Sequence, residues 1–281
     1  MNFLADNSAM NSSSLDLWFA FPGDLADPAV EEACTAILDD AERARAGRFR
    51  FDRHRREFLV THALARVALS HAHPLPPQSW RFSVNKYGKP SPVPEYGLRF
   101  NQSNSVELAV CLVSKCDARP GVKNGANAVE VGVDVESFAR AGEIPPLAAR
   151  VFSEAERAQL DVLSAAARPD RALSLWTLKE AYIKARGMGL SLSLREISFL
   201  FDCPRALRFE APPEVDDNPA RWRFRQFDHA GHRIALAVEA TAAGACEAFE
   251  ARPPLGSPAR LNLESAIWFP VSAQSAEARL S

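Results

Sequence analysis

The stretch from Pro169 to Gly187 constrains this chain most. It has the period of a helix and carries one residue that a plain core helix does not tolerate. Asp170 is placed to cap its start and Gly187 to end it. At about 100° per residue, Leu173, Trp176 and Ile183 form one apolar stripe. Glu180 falls inside that stripe, one turn after Trp176 and one turn before Lys184. A carboxylate on a core-facing side is costly to bury without a partner. Two readings stand. Glu180 and Lys184 form an internal i,i+4 pair, which adds only ~0.2–0.5 kcal/mol; or Glu180 faces a site, a metal site among them.

Composition narrows the field. The chain of 281 residues carries a formal net charge of −2, which gives no general pull toward nucleic acid or a membrane surface. Cys34, Cys111, Cys116, Cys203 and Cys246 are scattered without C-x-x-C spacing, so they fit reduced thiols in a cytoplasmic protein better than a zinc site or a disulfide framework. Residues 1–14 are polar, lack the apolar core of a signal peptide and are expected to be a disordered leader. No apolar run is long enough to span a bilayer.

Leu15 to Phe21 reads as a strand. Asp27-Pro28 opens a helix expected to run to about Ala46. A dense basic run follows, Arg43, Arg45, Arg48, Arg50, Arg53, Arg55 and Arg56, which suits either a solvated helix face or a phosphate-rich ligand. Asp52 caps a second helix with Phe58, Leu59, His62, Leu64, Ala65 and Leu69 on its stripe, ending at His71-Ala72-His73-Pro74. Trp80 to Val84 alternates like a strand, and Asn85 to Pro90 is turn chemistry around Gly88. Leu98–Asn101 and Val106–Val113 read as strands joined by a loop, Gln102 to Ser105, rich in short donors.

After a polar loop over 115–128, Glu130 to Glu136 alternates cleanly. Val131, Val133 and Val135 point one way, and Glu130, Gly132, Asp134 and Glu136 the other. Two carboxylates on one strand face suit either solvent or a divalent cation. Ser153-Glu154-Ala155-Glu156 is a capping box opening a further helix. Leu190–Leu200, Leu207–Ala211, Trp222–Phe227 and Arg233–Glu239 have strand character, and beyond Cys246 the pattern fades. The pattern predicts an α+β fold of two similar halves related by a pseudo-twofold, over 15–128 and 129–245, with a tail over 246–281.

Five pieces in order carry a family resemblance: Tyr87-Gly88-Lys89-Pro90, Phe100-Asn101-Gln102-Ser103, Gly132-Val133-Asp134-Val135-Glu136, Phe152-Ser153-Glu154-Ala155-Glu156, and Trp176 through Lys184 running on to Gly187-Met188-Gly189-Leu190. Together they resemble the 4′-phosphopantetheinyl transferases of the long, monomeric surfactin-synthetase-activating (Sfp) type. The resemblance covers roughly residues 40–240. It implies that fold, with the cofactor site between the halves. It also implies an enzyme that moves the phosphopantetheine arm of coenzyme A onto a serine of an apo acyl or peptidyl carrier protein and releases 3′,5′-ADP.

By the same resemblance Asp134, Glu136 and Glu180 would hold Mg²⁺, or Mn²⁺. Glu180 would act as base toward the carrier serine. Lys184 would stabilise the leaving phosphate, and Lys179 is a second candidate there. Lys89 and Ser103 would contact coenzyme A phosphates, and Arg48, Arg53 and Arg56 its 3′-phosphate. The family's histidine after Ser103 is replaced by Asn104, which can donate a hydrogen bond but lacks an imidazolium charge. That departure supports a rival reading, a catalytically silent binding module for coenzyme A or carrier protein. A different phosphate-ester hydrolase is a third, without a histidine–aspartate motif behind it. The expected protein is a cytoplasmic monomer that binds neither nucleic acid nor membrane.

Overall fold

The structure is a computed structural model that describes residues 13–116, 129–203, 206–215, 217–239, 246–250, 259–261 and 268–269. Of the leader expected over 1–14, residues 1–12 lie outside the described residues, whereas Ser13 and Ser14 belong to the first strand; most of the 115–128 loop also lies outside them.

Two topologically matching units make up the α+β fold. In the first, β1 (Ser13–Ala20) pairs antiparallel with β5 (Leu108–Cys116), which pairs antiparallel with β4 (Leu98–Ser105). In the second, β6 (Val131–Ser137) pairs with β10 (His232–Glu239), which pairs with β9 (Trp222–His229), again antiparallel. Each unit thus has the order first–last–middle strand. Each places a long helix after its first strand: α3 (Asp52–Ala72) and α6 (Arg168–Arg186). The expected pseudo-twofold is visible in this shared order.

Period-two alternation builds the layers. Leu15, Leu17 and Phe19 of β1, Leu108, Val110 and Leu112 of β5, Val131, Val133 and Val135 of β6 and Leu236 of β10 meet in one core between the sheets. The alternate residues Trp18, Ala109 and Cys111 pack beneath α3 with Leu59 and Ala63, and Ala235, Ala237 and Phe224 pack beneath α6 with Leu175, Leu178 and Tyr182. Each such large side chain contributes about 1.5–3 kcal/mol on burial.

Helix α6 differs from its expected form in two ways. It starts at Arg168 with no side-chain cap, so Asp170 lies in its first turn, where its charge complements the helix dipole. Its buried face is broader than one stripe and includes Lys179, while Trp176 is half-buried. Gly187 ends it in the left-handed conformation, φ 61°.

Other expectations need correction. The helix expected over 28–46 is two helices, α1 (Pro28–Ala36) and α2 (Asp40–Ala46), because Asp39 and Glu42 form a capping box that restarts it. Gln102 to Ser105 is not a loop: β4 runs through it, and the turn is Val106-Glu107, with Glu107 at φ 68°. The described pieces of the tail expected over 246–281 join the two sheets. β11 (Cys246–Glu250) adds parallel to β1, β12 (Ala259–Leu261) adds to β11, and β13 (Trp268–Phe269) adds to β9. Backbone pairing to an open sheet edge needs no side-chain pattern. The rest of the second unit that bears on the site is α4 (Ala148–Val151), α5 (Glu154–Asp161), β7 (Ser198–Cys203) and β8 (Ala206–Glu210). In the first, a short hairpin of β2 (Phe82–Val84) and β3 (Pro90–Pro92) turns at Gly88, φ 90°.

Candidate active site

β6 and α6 touch at Gly132. A Cβ there would lie 2.0 Å from the Ala181 carbonyl oxygen and 2.4 Å from the Ala185 nitrogen, so only glycine lets the helix backbone come this close. The contact sets the distance between the strand carboxylates and the next helical residues, Glu180 and Lys184. Asp134 and Glu136 stand on the helix-facing side of β6, both buried.

Lys184 Nζ donates to Asp134 Oδ1 at 2.6 Å and to Ser103 Oγ at 2.7 Å, and the Ser103 hydroxyl donates to the same Asp134 oxygen at 3.1 Å. The first half of the chain (Ser103), the second-half strand (Asp134) and the second-half helix (Lys184) therefore meet at one point. Asp134 Oδ2 is buried without a hydrogen-bond partner. Glu136 is held from both sides: Trp176 Nε1 donates to Oε1 at 3.1 Å and Arg140 Nη1 to Oε2 at 2.7 Å. Among the described residues, no three His, Cys, Asp or Glu side chains gather closely enough to hold a metal ion on their own.

The local field is dominated by crowded negative charge. Burial, followed by the charge of Asp134, pushes the Glu180 carboxyl up to about 7, with Lys184 pulling the other way and Glu136 adding to the rise. Burial and the neighbouring Asp134 also raise Glu136 above the usual carboxylate range, against the pull of Arg140 and Trp176. A carboxyl near 7 is poised to take a proton at neutral pH.

Glu180 and Lys184 open onto a cavity of about 340 Å³ between the halves, walled by Tyr87, Gly88, Asn101, Gln102 and Gly187 among others. A second cavity of about 390 Å³ shares Gly88, Pro90 and Gln102 with it and extends to Glu42, Arg45 and His62 on α2 and α3. The two cavities adjoin along Gly88, Pro90 and Gln102 and together make up the groove, with Glu180 lining the first and Arg45 the second. A larger cavity, about 570 Å³ and lined by Pro28, Glu31 and Arg56, shares none of these residues.

Ser103, Asp134 and Lys184 are thus brought together, with Glu180 and Glu136 near enough to Asp134 to feel its charge; the three carboxylates expected to hold a metal do not gather into a site on their own, because Arg140 and Trp176 engage Glu136. Other candidates do not join them. Lys179 is fully buried in the interior: its ammonium pairs with Glu156 at 2.7 Å and donates to the carbonyls of Leu194 and Ile197, and burial pulls it down to about 8 against the Glu156 charge. It ties α6 to α5 and to the segment just before β7, and it does not line the groove. Lys89 lines the groove, but its ammonium is spent on Glu130 (2.6 Å), Ala185 O (2.6 Å) and Val131 O (3.3 Å). Asn104 is exposed, because strand alternation sends it away from Ser103. Arg48 is exposed, Arg53 lies by Glu57, and Arg56 lies by Glu31 at the separate cavity. Arg45 is the arginine that lines the groove. Sequence reasoning also missed Gly132, although a glycine at a helix-facing strand position signals close approach, and the indole of Trp176 as a partner for Glu136.

The 4′-phosphopantetheinyl transferase superfamily model matches residues 130–237. HetI, a 4′-phosphopantetheinyl transferase of Nostoc sp., is 29% identical over 210 residues, which cover 74% of this chain and 82% of HetI. A 4′-phosphopantetheinyl transferase of Bacillus subtilis is 31% identical over 168 residues, covering 60% of this chain and 68% of the relative. Sfp of Bacillus subtilis is 28% identical over 168 residues, covering 59% and 68%. With one relative above 30% identity matched over two thirds of its length, and with Asp134, Glu180 and Lys184 converging inside the matched segment, the chain belongs to the 4′-phosphopantetheinyl transferases.

Proposed function

We propose that this enzyme transfers the 4′-phosphopantetheine arm of coenzyme A to a serine of an apo acyl or peptidyl carrier protein, depends on Mg²⁺ and releases 3′,5′-ADP. The observation that carries the reading is the convergence of Ser103, Asp134 and Lys184, with Glu180 beside them, next to the cavity of about 340 Å³ that Glu180 and Lys184 line. In the reaction the carrier serine Oγ attacks the phosphorus that bears the pantetheine arm. The bond from that phosphorus to the bridging oxygen breaks, and 3′,5′-ADP leaves with the bond's electrons. Glu180 accepts the serine proton. The Lys184 ammonium offsets charge on the pyrophosphate oxygens as it shifts toward the leaving group. Arg45, at the far end of the groove, takes the 3′-phosphate.

Asp134 and Glu180 fit a divalent ion. Asp134 Oδ2 is a buried acceptor without a partner, and Glu180 is a crowded neighbouring carboxylate. Mg²⁺ takes one or two carboxylates and completes its octahedron from substrate phosphate and water, so no all-protein cage is needed. Glu136, bound to Arg140 and Trp176, adds charge beside it. When bound, the ion neutralises the pyrophosphate.

No described helix is long and apolar enough to cross a membrane. Both walls of the cavity come from one chain, which supports action as a monomer, and a formal net charge of −2 gives no general pull toward nucleic acid. The test is incubation with coenzyme A and several apo carrier proteins, with Mg²⁺ or with a chelator. Carrier mass and released 3′,5′-ADP are followed together. Mg²⁺-dependent addition of the arm with stoichiometric 3′,5′-ADP is expected. No modification of any carrier refutes the reading.

A further inference from the structure

The edge of β6 that faces β4 carries no backbone ladder to it: β4 and β6 are edge strands of separate sheets. Three backbone groups of β6 nevertheless find partners across the seam, in side chains of the first half. Lys89 Nζ donates to the Val131 carbonyl at 3.3 Å. The Val133 amide donates to Asn101 Oδ1 at 2.9 Å, and the Ser137 amide donates to Ser105 Oγ at 3.1 Å. Asn101, Ser103 and Ser105 alternate along β4, so they share one face and reach β6 as a row. Asn101 and Ser105 take backbone amides, and Ser103, between them, takes the Asp134 carboxylate.

A backbone ladder fixes register at every second residue. Here the register of β6 against β4 hangs on a few side chains, and the bond nearest the reacting centre is the one from Val133, the residue before Asp134. The Val133 amide is buried, so losing its acceptor leaves a donor unsatisfied and drives the strand to shift. A shift of β6 carries Asp134 away from Ser103 and Lys184, which come from other elements. We propose that Asn101 is a positioning residue: by accepting the Val133 amide it sets where Asp134 sits in the groove. The consequence for rate rests on the role proposed above for Asp134. The register claim does not.

The experiment compares Asn101→Leu, which keeps the volume and removes the acceptor, with Asn101→Ser, which restores a short acceptor of the kind Ser105 already uses toward Ser137. Both are read in two ways. In amide hydrogen exchange on the metal-free protein, Asn101→Leu speeds exchange at Val133 by about tenfold, while Leu236 on β10 keeps its protection and Asn101→Ser restores most of that at Val133. In carrier modification, Asn101→Leu lowers kcat by about tenfold or more with KM for coenzyme A within about twofold, and Asn101→Ser recovers kcat to within about threefold. Unchanged exchange at Val133 in Asn101→Leu overturns the proposal whatever the rate. Faster exchange with an unchanged kcat overturns the link to Asp134. If Asn101→Leu does not fold, Asn101→Ser decides alone: Val133 protection and kcat near wild type support the proposal, and loss of both overturns it. If the wild type itself modifies no carrier, the proposed function fails and the exchange experiment still tests the register.

Discussion

Replacing Glu180 by glutamine should stabilise the metal-free protein while removing its activity. The Glu180 carboxyl is pushed up to about 7, chiefly by burial and then by Asp134. In the unfolded chain it titrates near 4.5. A carboxyl whose folded pKa is raised binds more protons folded than unfolded between these values, so its contribution to stability falls as pH rises from about 4.5 to about 7. At pH 8 the ionised form costs the fold about 3 kcal/mol, and solvent at the groove mouth trims this toward about 2 kcal/mol. Glu180→Gln removes that cost and keeps the shape. At pH 5 the folded carboxyl is already protonated, and the gain drops below about 1 kcal/mol. Urea unfolding with chelator present, at pH 5 and pH 8, measures both. A gain of about 2–3 kcal/mol at pH 8 that shrinks at pH 5 is expected. A variant that is less stable than wild type at pH 8, or whose effect is the same at both pH values, refutes the crowding argument.

Other consequences follow from the same geometry. Lys179→Met takes the counter-ion from the buried Glu156, which costs about 3–5 kcal/mol in a urea titration; adding Glu156→Gln recovers most of it. Gly132→Ala forces a methyl into the Ala181 carbonyl, so it lowers the melting temperature and, by prying α6 off β6, cuts transfer by about a hundredfold in a carrier-modification assay. Arg45→Ala raises KM for coenzyme A about tenfold in steady-state kinetics, whereas Arg48→Ala leaves it unchanged.

The parts of this molecule that follow local rules were legible in the sequence. The alternation of Val131, Val133 and Val135 fixed which face of β6 carries Asp134 and Glu136, and the capping box at Ser153 and Glu156 opened α5 as expected. Glu180 stood out because a carboxylate in an apolar stripe demands an explanation. What the sequence hid depends on partners far along the chain. Lys179 and Lys184 are neighbours on one helix with similar chemistry. Only the packing of Glu156 and the Ile197 carbonyl against one side of α6 makes the first structural and leaves the second in the groove. Lys89 reads as a free cation beside a glycine turn, yet Glu130 and two carbonyls hold it. Gln102 to Ser105 read as a loop because it is polar. Its polarity instead serves a strand whose side chains bond a second strand rather than enter a core. The break between α1 and α2 was readable: Asp39 and Glu42 have capping-box spacing.

The central claim is that Asp134, Glu180 and Lys184 form one catalytic centre. Single-turnover transfer of the arm to a carrier protein, under saturating coenzyme A and Mg²⁺, tests it most directly with Glu180→Ala, whose fold is checked by circular dichroism. The account predicts a folded protein with transfer reduced by about a thousandfold or more. A folded Glu180→Ala enzyme that transfers the arm at close to the wild-type rate would contradict it.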